Sequence, residues 1–237
     1  DFCLSRGLGD VYKRQGFHLP SRTIQVLDDD EKGTIDGATI VRCADNIPAA
    51  CNWMVEEGPE LPALCESCRL TRTRPSNSDE QAMAAFAEAE AAKRRVIYEL
   101  DELGLPIFGK DTDPQIGLAF DLLSSRDQPV TTGHADGVIT LDLAEGDDVH
   151  RERLRVSMDE PYRTLIGHFR HEIGHFYQMV LVGEGPNLER YTELFGDPNT
   201  SYQDAIDRHY NDGPPEDWEQ DYVSSYATMH PFEDWAE

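Results

Sequence analysis

His171, Glu172 and His175 occur in the order HEIGH, inside a stretch whose apolar residues recur at helical spacing. Histidines four apart project from one face of a helix, so both imidazoles can reach a single metal ion. The carboxylate of Glu172, beside the first histidine, then lies where it can take a proton from a water on the ion's open position. That is the residue set for zinc-assisted hydrolysis. A catalytic zinc takes three protein ligands and leaves the fourth position to water, so the histidine pair needs a third ligand from elsewhere in the chain.

Two helices must position such a site. Leu165, Ile166, Phe169, Ile173, Phe176 and Val180 fall largely three and four apart, which predicts a helix over 161–182 lying on a core. Asp159 or Glu160 with Pro161 would open it, and Gly183 would stop it. At the far end, HPFEDWAE (230–237) predicts a second helix with Pro231 in its first turn. Glu233 and Glu237 share a face of it. One can ligate zinc while the other accepts a hydrogen bond from a ligand histidine's free ring nitrogen. This resembles the gluzincin arrangement, which implies Glu233 as ligand and Glu237 as the acid that orients a histidine. Asp234 is the alternative for either role, because the helix phase is inferred. Without the histidines, the acidic run reads only as a solvated helix N-terminus favoured by the macrodipole.

Other side chains invite roles. His168, three residues before His171, is expected to support the site by hydrogen bonding, since a fourth protein ligand would close it. Tyr226 could present its hydroxyl to a tetrahedral oxyanion; a buried aromatic is the plainer reading. His209 and His230 are weaker candidates, and Tyr177 reads as packing.

Of five cysteines, Cys43, Cys51, Cys65 and Cys68 lie within 26 residues, and Cys65-Glu66-Ser67-Cys68 is a CxxC knuckle. Four such thiols suit a closed structural zinc. They share one ion, or they are halves of two sites. The adjacent LTRTRP brings basic charge that suits thiolates. A pair of disulfides in a secreted protein is the other reading.

Residues 158–237 resemble the core of the bacterial putative zinc-binding metallopeptidase family. The resemblance rests on MDEPYRTLIGHFRHEIGHFY, ERYTELFGD, HYNDGPPEDW and YATMHPFEDWAE. That family joins its catalytic region to an N-terminal cysteine-rich, zinc-ribbon-like segment, and RCADNIPAACNW and LCESCRLTRTRP match it here. HEIGH is shared by many peptidases; LCESCRLTR with HPFEDWAE is far more particular. The resemblance implies an α+β, mostly helical zincin-like metallopeptidase domain with a small sheet over 76–237, behind a zinc-ribbon-like module over 16–75. It also implies zinc as cofactor, one catalytic and one structural, and a peptide or protein as substrate. Residues 1–15, DFCLSRGLGDVYKRQ, resemble a translated sequencing adapter and are set aside from fold reasoning. The family's further CxxC pairs and its downstream helical sequence lead us to expect a fragment.

Two other function classes fit the same residues. One is a non-catalytic zinc protein whose cysteine module binds a partner; the other is a zinc hydrolase of a non-peptide amide. Glu172 favours an enzyme, because a structural site has no need of a carboxylate beside its metal. The balance of 21 basic against 46 acidic residues, a net −25, argues against nucleic-acid and anionic-membrane partners. No apolar run approaches a membrane span and no secretory signal is visible, so a cytoplasmic location is expected.

Between the two modules, Ser78 with Asp79-Glu80-Gln81 resembles a capping box opening a helix over 79–103, expected to cross a sheet. Stretches 117–123 and 138–143 read as strands, the second a candidate edge strand for a peptide substrate.

Overall fold

A computed structural model describes residues 14–59, 63–125, 129–146, 164–183 and 185–237. The first part of the chain is a five-stranded sheet. Strands β1 (Gln15–His18), β2 (Thr23–Val26), β3 (Lys32–Ile35), β4 (Ala38–Arg42) and β5 (Trp53–Glu56) lie in the order β2-β1-β5-β4-β3. Asp36-Gly37, both at positive φ (49° and 88°), make the tight turn between β3 and β4. Gln15, which the sequence reading put in the foreign leader, is the first residue of β1 and pairs with Val26.

A second sheet holds β6 (Thr71–Thr73), β7 (Ala119–Leu123), β8 (Gly133–Ala135) and β9 (Val138–Asp142), in the order β6-β7-β9-β8. Helix α1 (Glu80–Glu102) is the crossover that makes β6 and β7 parallel. Its N-cap is Asp79, whose side chain accepts from the Ala82 amide, and not Ser78, whose hydroxyl pairs with that of Ser76. The strand read as an edge is interior: β9 lies between β7 and β8. The edge is β8, folded back onto β9 through Asp136-Gly137, whose φ values of 48° and 80° suit a hairpin turn.

Five α-helices and nine strands among the described residues make a mixed α/β chain. The expectation of a mostly helical domain therefore holds only beyond residue 164, where the described elements are all helical: α2 (Leu165–Tyr177), α3 (Leu188–Phe195), α4 (Tyr202–Asp212) and α5 (Pro231–Ala236), with short helical turns. Thr164 caps α2 through the Gly167 amide, so this helix starts later than Pro161, which lies outside the described residues with Asp159 and Glu160. A π-type turn over Gln178–Val182 follows it, and Gly183, at φ 44°, ends the run as expected.

Period two in the strands and period 3.6 in the helices meet in one core. Phe120 and Leu122 of β7 and Ile139 and Leu141 of β9 pack with Phe86 and Ile97 of α1 and with Phe169, Ile173 and Phe176 of α2. Each of these large side chains contributes about 1.5–3 kcal/mol by leaving water. The four cysteines and Trp53 belong to the same cluster, so the sheet of the first part and the helices of the second bury apolar surface together. No helix among the described residues is long and apolar enough to cross a membrane.

Candidate metal centres

The amphipathic helix α2 turns its apolar face to the sheet and leaves His171 and His175 on its flank, half-buried. Helix α5 lies against that flank. Trp235 donates its indole N–H to the Gly174 carbonyl at 2.8 Å, and Ala236 sits over Gly174. The docking delivers Glu233, which is only 2% exposed, to the histidines. The Nε2 atoms of His171 and His175 are 3.2 Å apart, and Glu233 Oε2 lies 3.0 Å from the first and 3.6 Å from the second. A tetrahedral zinc with ligand bonds of about 2.0–2.2 Å needs donor separations of roughly 3.4 Å. The three atoms therefore have the spacing of one triangular face of a zinc site and could hold a metal ion.

The polar groups behind the triangle fit the same ion. Glu233 Oε2 is buried, and the groups it faces are the two imidazoles. His171 presents Nε2 to the triangle and its Nδ1 lies 3.1 Å from Glu237 Oε1, so the acid one helical turn beyond Glu233 can fix the ring. Burial alone would lower the His171 pKa, but the carboxylates of Glu233 and Glu237 outweigh it and push it up to about 10. Burial pushes Glu233 up, yet hydrogen bonds to His171 and His175 hold it well below the usual carboxylate range. Such a donor set demands positive charge at its centre. Glu172, raised mainly by burial and partly countered by the charges of both histidines, is poised closer to neutral pH than a surface glutamate. His168 is outside the ligand cluster and its charge reaches Glu172. Asp234, the alternative ligand, is also outside it.

The second cluster lies under the first sheet. Cys43 follows β4, Cys51 precedes β5, and Cys65 and Cys68 form the knuckle before β6. All four sulfurs are buried, unbonded to one another and gathered in one place. Cys51 Sγ and Cys65 Sγ are 3.7 Å apart, close to the roughly 3.8 Å edge of a tetrahedron with zinc–sulfur bonds of about 2.3 Å. Backbone amides of Cys65 and Cys68 point at Cys43 Sγ and Cys65 Sγ, at 3.4 and 3.5 Å. Four free sulfurs so placed could hold one shared ion. The basic segment after the knuckle is not its counter-charge: Arg69 is held by Asp111, Arg72 by Asp121 and Arg74 by Asn77. The buried cations near the cysteines come instead from α1. Lys93 and Arg94 meet Glu90, whose Oε2 is 3.8 Å from Cys68 Sγ, and Arg94 clamps the carbonyls of Ala49 and Ala50 at 3.2 Å each.

Comparison with known proteins supports zinc binding. Residues 82–237 match the model of a family described as putative zinc-binding metallo-peptidase, and residues 10–79 match that of a zinc-ribbon domain. The chain belongs to the putative zinc-binding metallo-peptidase family. Uncharacterized proteins of Mycobacterium tuberculosis and Mycobacterium bovis are 56% identical to it over 236 residues. That alignment covers 99% of this chain but 65% of each relative, so the chain spans about two thirds of their length. No solved structure matches the chain.

Within this member of the family, two contributors to the candidate site escaped the sequence reading. Tyr202, at the start of α4, donates its hydroxyl to Glu233 Oε1 at 2.8 Å. Nothing in SYQDAIDRHY marks that tyrosine beyond the Ser201 cap, whose side chain accepts from Asp204 N. Gly174, one of the three residues between the histidines, leaves room for α5: a Cβ there would stand 2.9 Å from Ala236 Cα. Tyr226 does reach the site. Its ring lies 6.1 Å from that of His171, and burial and the Glu233 charge push its hydroxyl pKa upward, so it stays protonated. His209 packs against Tyr226, at 5.9 Å between rings. His230 is a cap: its Nδ1 accepts from the Phe232 amide at 3.1 Å, opening α5. Tyr177 is buried and donates to the Pro106 carbonyl.

Proposed function

We propose that this chain carries the active site of a zinc metallopeptidase of gluzincin type, with His171, His175 and Glu233 as ligands and Glu172 as general base. The observation that carries the reading is Glu233 Oε2, buried and within 3.6 Å of both histidine Nε2 atoms, delivered by a helix about sixty residues downstream. Zinc bound there would acidify a water and polarise a scissile carbonyl. The carboxylate of Glu172 takes the proton from the attacking water and returns it to the leaving amine. Glu237 keeps the His171 ring oriented, with Nδ1 occupied and Nε2 directed to the ligand triangle. Tyr226 stays protonated, so its hydroxyl can donate to the oxygen that gains charge as the carbonyl is attacked.

The four cysteines would hold a second, closed zinc, structural and not catalytic. The substrate is a peptide or protein. Strand β8 offers it a free edge: α2 packs against β8, and His134 of β8 lies 6.3 Å from Phe176, ring to ring. We place the reaction in the cytoplasm, where four close thiols stay reduced; recovery of the protein in another cell fraction would refute that location.

Elemental analysis and a peptide-library digest test the reading together. Wild type should carry zinc and cut peptides, and Glu172→Gln should keep the zinc and lose turnover. Loss of zinc from that variant, or retained turnover, would overturn the role of Glu172. Zinc with no cleavage of any peptide, but release of amine from a non-peptide amide, would reassign the substrate.

A further inference from the structure

The carboxylate of Glu233 has two oxygens with different fates. Oε2 faces the two imidazoles; Oε1 is held by the hydroxyl of Tyr202 at 2.8 Å. Glu233 is 2% exposed, so bulk water does not satisfy Oε1 in place of that hydroxyl. Tyr202 is itself fixed. Its ring packs on His230 at 5.1 Å, His230 Nε2 lies 3.1 Å from the Thr200 hydroxyl, and Arg208 of the same helix donates to the Met229 carbonyl at 3.0 Å. These contacts join α4 to the segment that opens α5.

We infer that Tyr202 is the positioning residue for the third ligand: it ties down Glu233 Oε1 so that only Oε2 is offered to the metal. The inference rests on Glu233 being a ligand. A carboxylate free to rotate would offer both oxygens and occupy the position a water needs. With Oε1 claimed, the ligand binds through one oxygen and the fourth position stays open. Tyr202 touches neither ion nor substrate in this arrangement. Tyr226, whose ring lies 6.1 Å from that of His171, is left to act on substrate.

The test compares Tyr202→Phe, Tyr226→Phe and Glu233→Ala in the full chain. The readouts are zinc affinity by chelator competition, the absorption spectrum of the cobalt-loaded protein, melting of the metal-free protein and peptide turnover. Tyr202→Phe should weaken zinc binding about 10–100-fold, the range for lost partners of metal ligands. It should also shift the cobalt bands and leave metal-free melting close to wild type. Tyr226→Phe should keep zinc affinity within about 3-fold and lower kcat by about 100-fold, the range for one lost oxyanion donor. Tyr202→Phe with wild-type affinity and an unchanged cobalt spectrum would overturn the inference, as would a fall in metal-free melting that parallels the lost zinc. Glu233→Ala separates the two levels. If it binds zinc like wild type, Glu233 is no ligand and the proposed function fails with the inference; if it loses zinc while Tyr202→Phe does not, the inference alone fails.

Discussion

Replacing Gly174 with alanine should separate the folding of this protein from its metal chemistry. A Cβ at 174 would stand 2.9 Å from Ala236 Cα and 3.3 Å from both the Ala236 Cβ and its carbonyl oxygen, so it meets the backbone of α5, which cannot swing aside as a long side chain could. Carbon atoms in contact prefer about 3.5–4.0 Å, so α5 must retreat by roughly 0.6–1 Å. Two terms oppose each other in stability. Overpacking costs about 1–3 kcal/mol, and alanine is favoured over glycine inside a helix by about 0.8–1.0 kcal/mol. The net loss is about 0–2 kcal/mol, or a drop of about 0–8 °C in melting temperature for a chain of this size. Metal binding has no such compensation. Ligand distances tolerate only about 0.2 Å, and Glu233 rides on the displaced helix. Zinc affinity at the histidine site should fall about 100-fold, the scale of a misplacement of about 1 Å. Circular dichroism melting of the metal-free protein and chelator competition measure the two quantities. Ile173→Val is the control: it should cost about 0.5–1.5 kcal/mol in the core and keep zinc. If Gly174→Ala binds zinc within about 3-fold of wild type, close contact between α2 and α5 does not set the ligand distance, and the reasoning fails.

Other outcomes follow from the buried charges and thiols. Lys93→Met should destabilise the fold by about 3–5 kcal/mol in urea unfolding, because the Glu90 carboxylate would lose a partner in a site where both side chains are at most 1% exposed; a loss under about 1 kcal/mol would mean the pair is not buried as described. Cys65→Ser with Cys68→Ser should release one equivalent of zinc and leave the histidine-bound equivalent in place; loss of both would mean that the sites depend on each other for metal. His134 is lowered from 6.5 to about 4, chiefly by burial and then by the charge of His175. Its folded form therefore resists a proton that the unfolded chain accepts. Stability contributed by neutral His134 is present above about pH 6.5 and is lost as pH falls towards about 4. His134→Gln should flatten that part of the stability profile relative to wild type, and an unchanged slope would remove His134 as its source.

How much of this could be read in one dimension depends on the range of the interaction. The spacing of His171 and His175 is a property of a single helix, so their shared face was legible from the sequence, as were the strands of 119–123 and 138–142 and the four close thiols. The approach of Glu233 and Glu237 to the histidines was legible because one helical turn puts both carboxylates on one face of a short helix opened by Pro231. The errors came where two local signals competed or where pairing order mattered. Ser78 lost the cap to Asp79 because its hydroxyl had a nearer partner in Ser76. Strand β9 was taken for an edge because the three-residue β8 is too short to show a period, although the Asp136-Gly137 turn before β9 announced a hairpin.

Residue types and their spacing along the chain thus determined which groups could bind metal: the histidine pair with its glutamate, the carboxylates one turn apart and the thiol set. These follow from helix geometry and coordination chemistry, which act over a few residues. The tertiary structure alone decided which distant groups meet them. It chose Tyr202 as the partner of Glu233, Lys93 and Arg94 instead of the neighbouring arginines as the cations beside the cysteines, and the contact of Gly174 with Ala236 that lets the two helices approach. Each of these depends on how helices stack in a shared core, and packing distance between elements far apart in the chain leaves no periodic trace in the sequence.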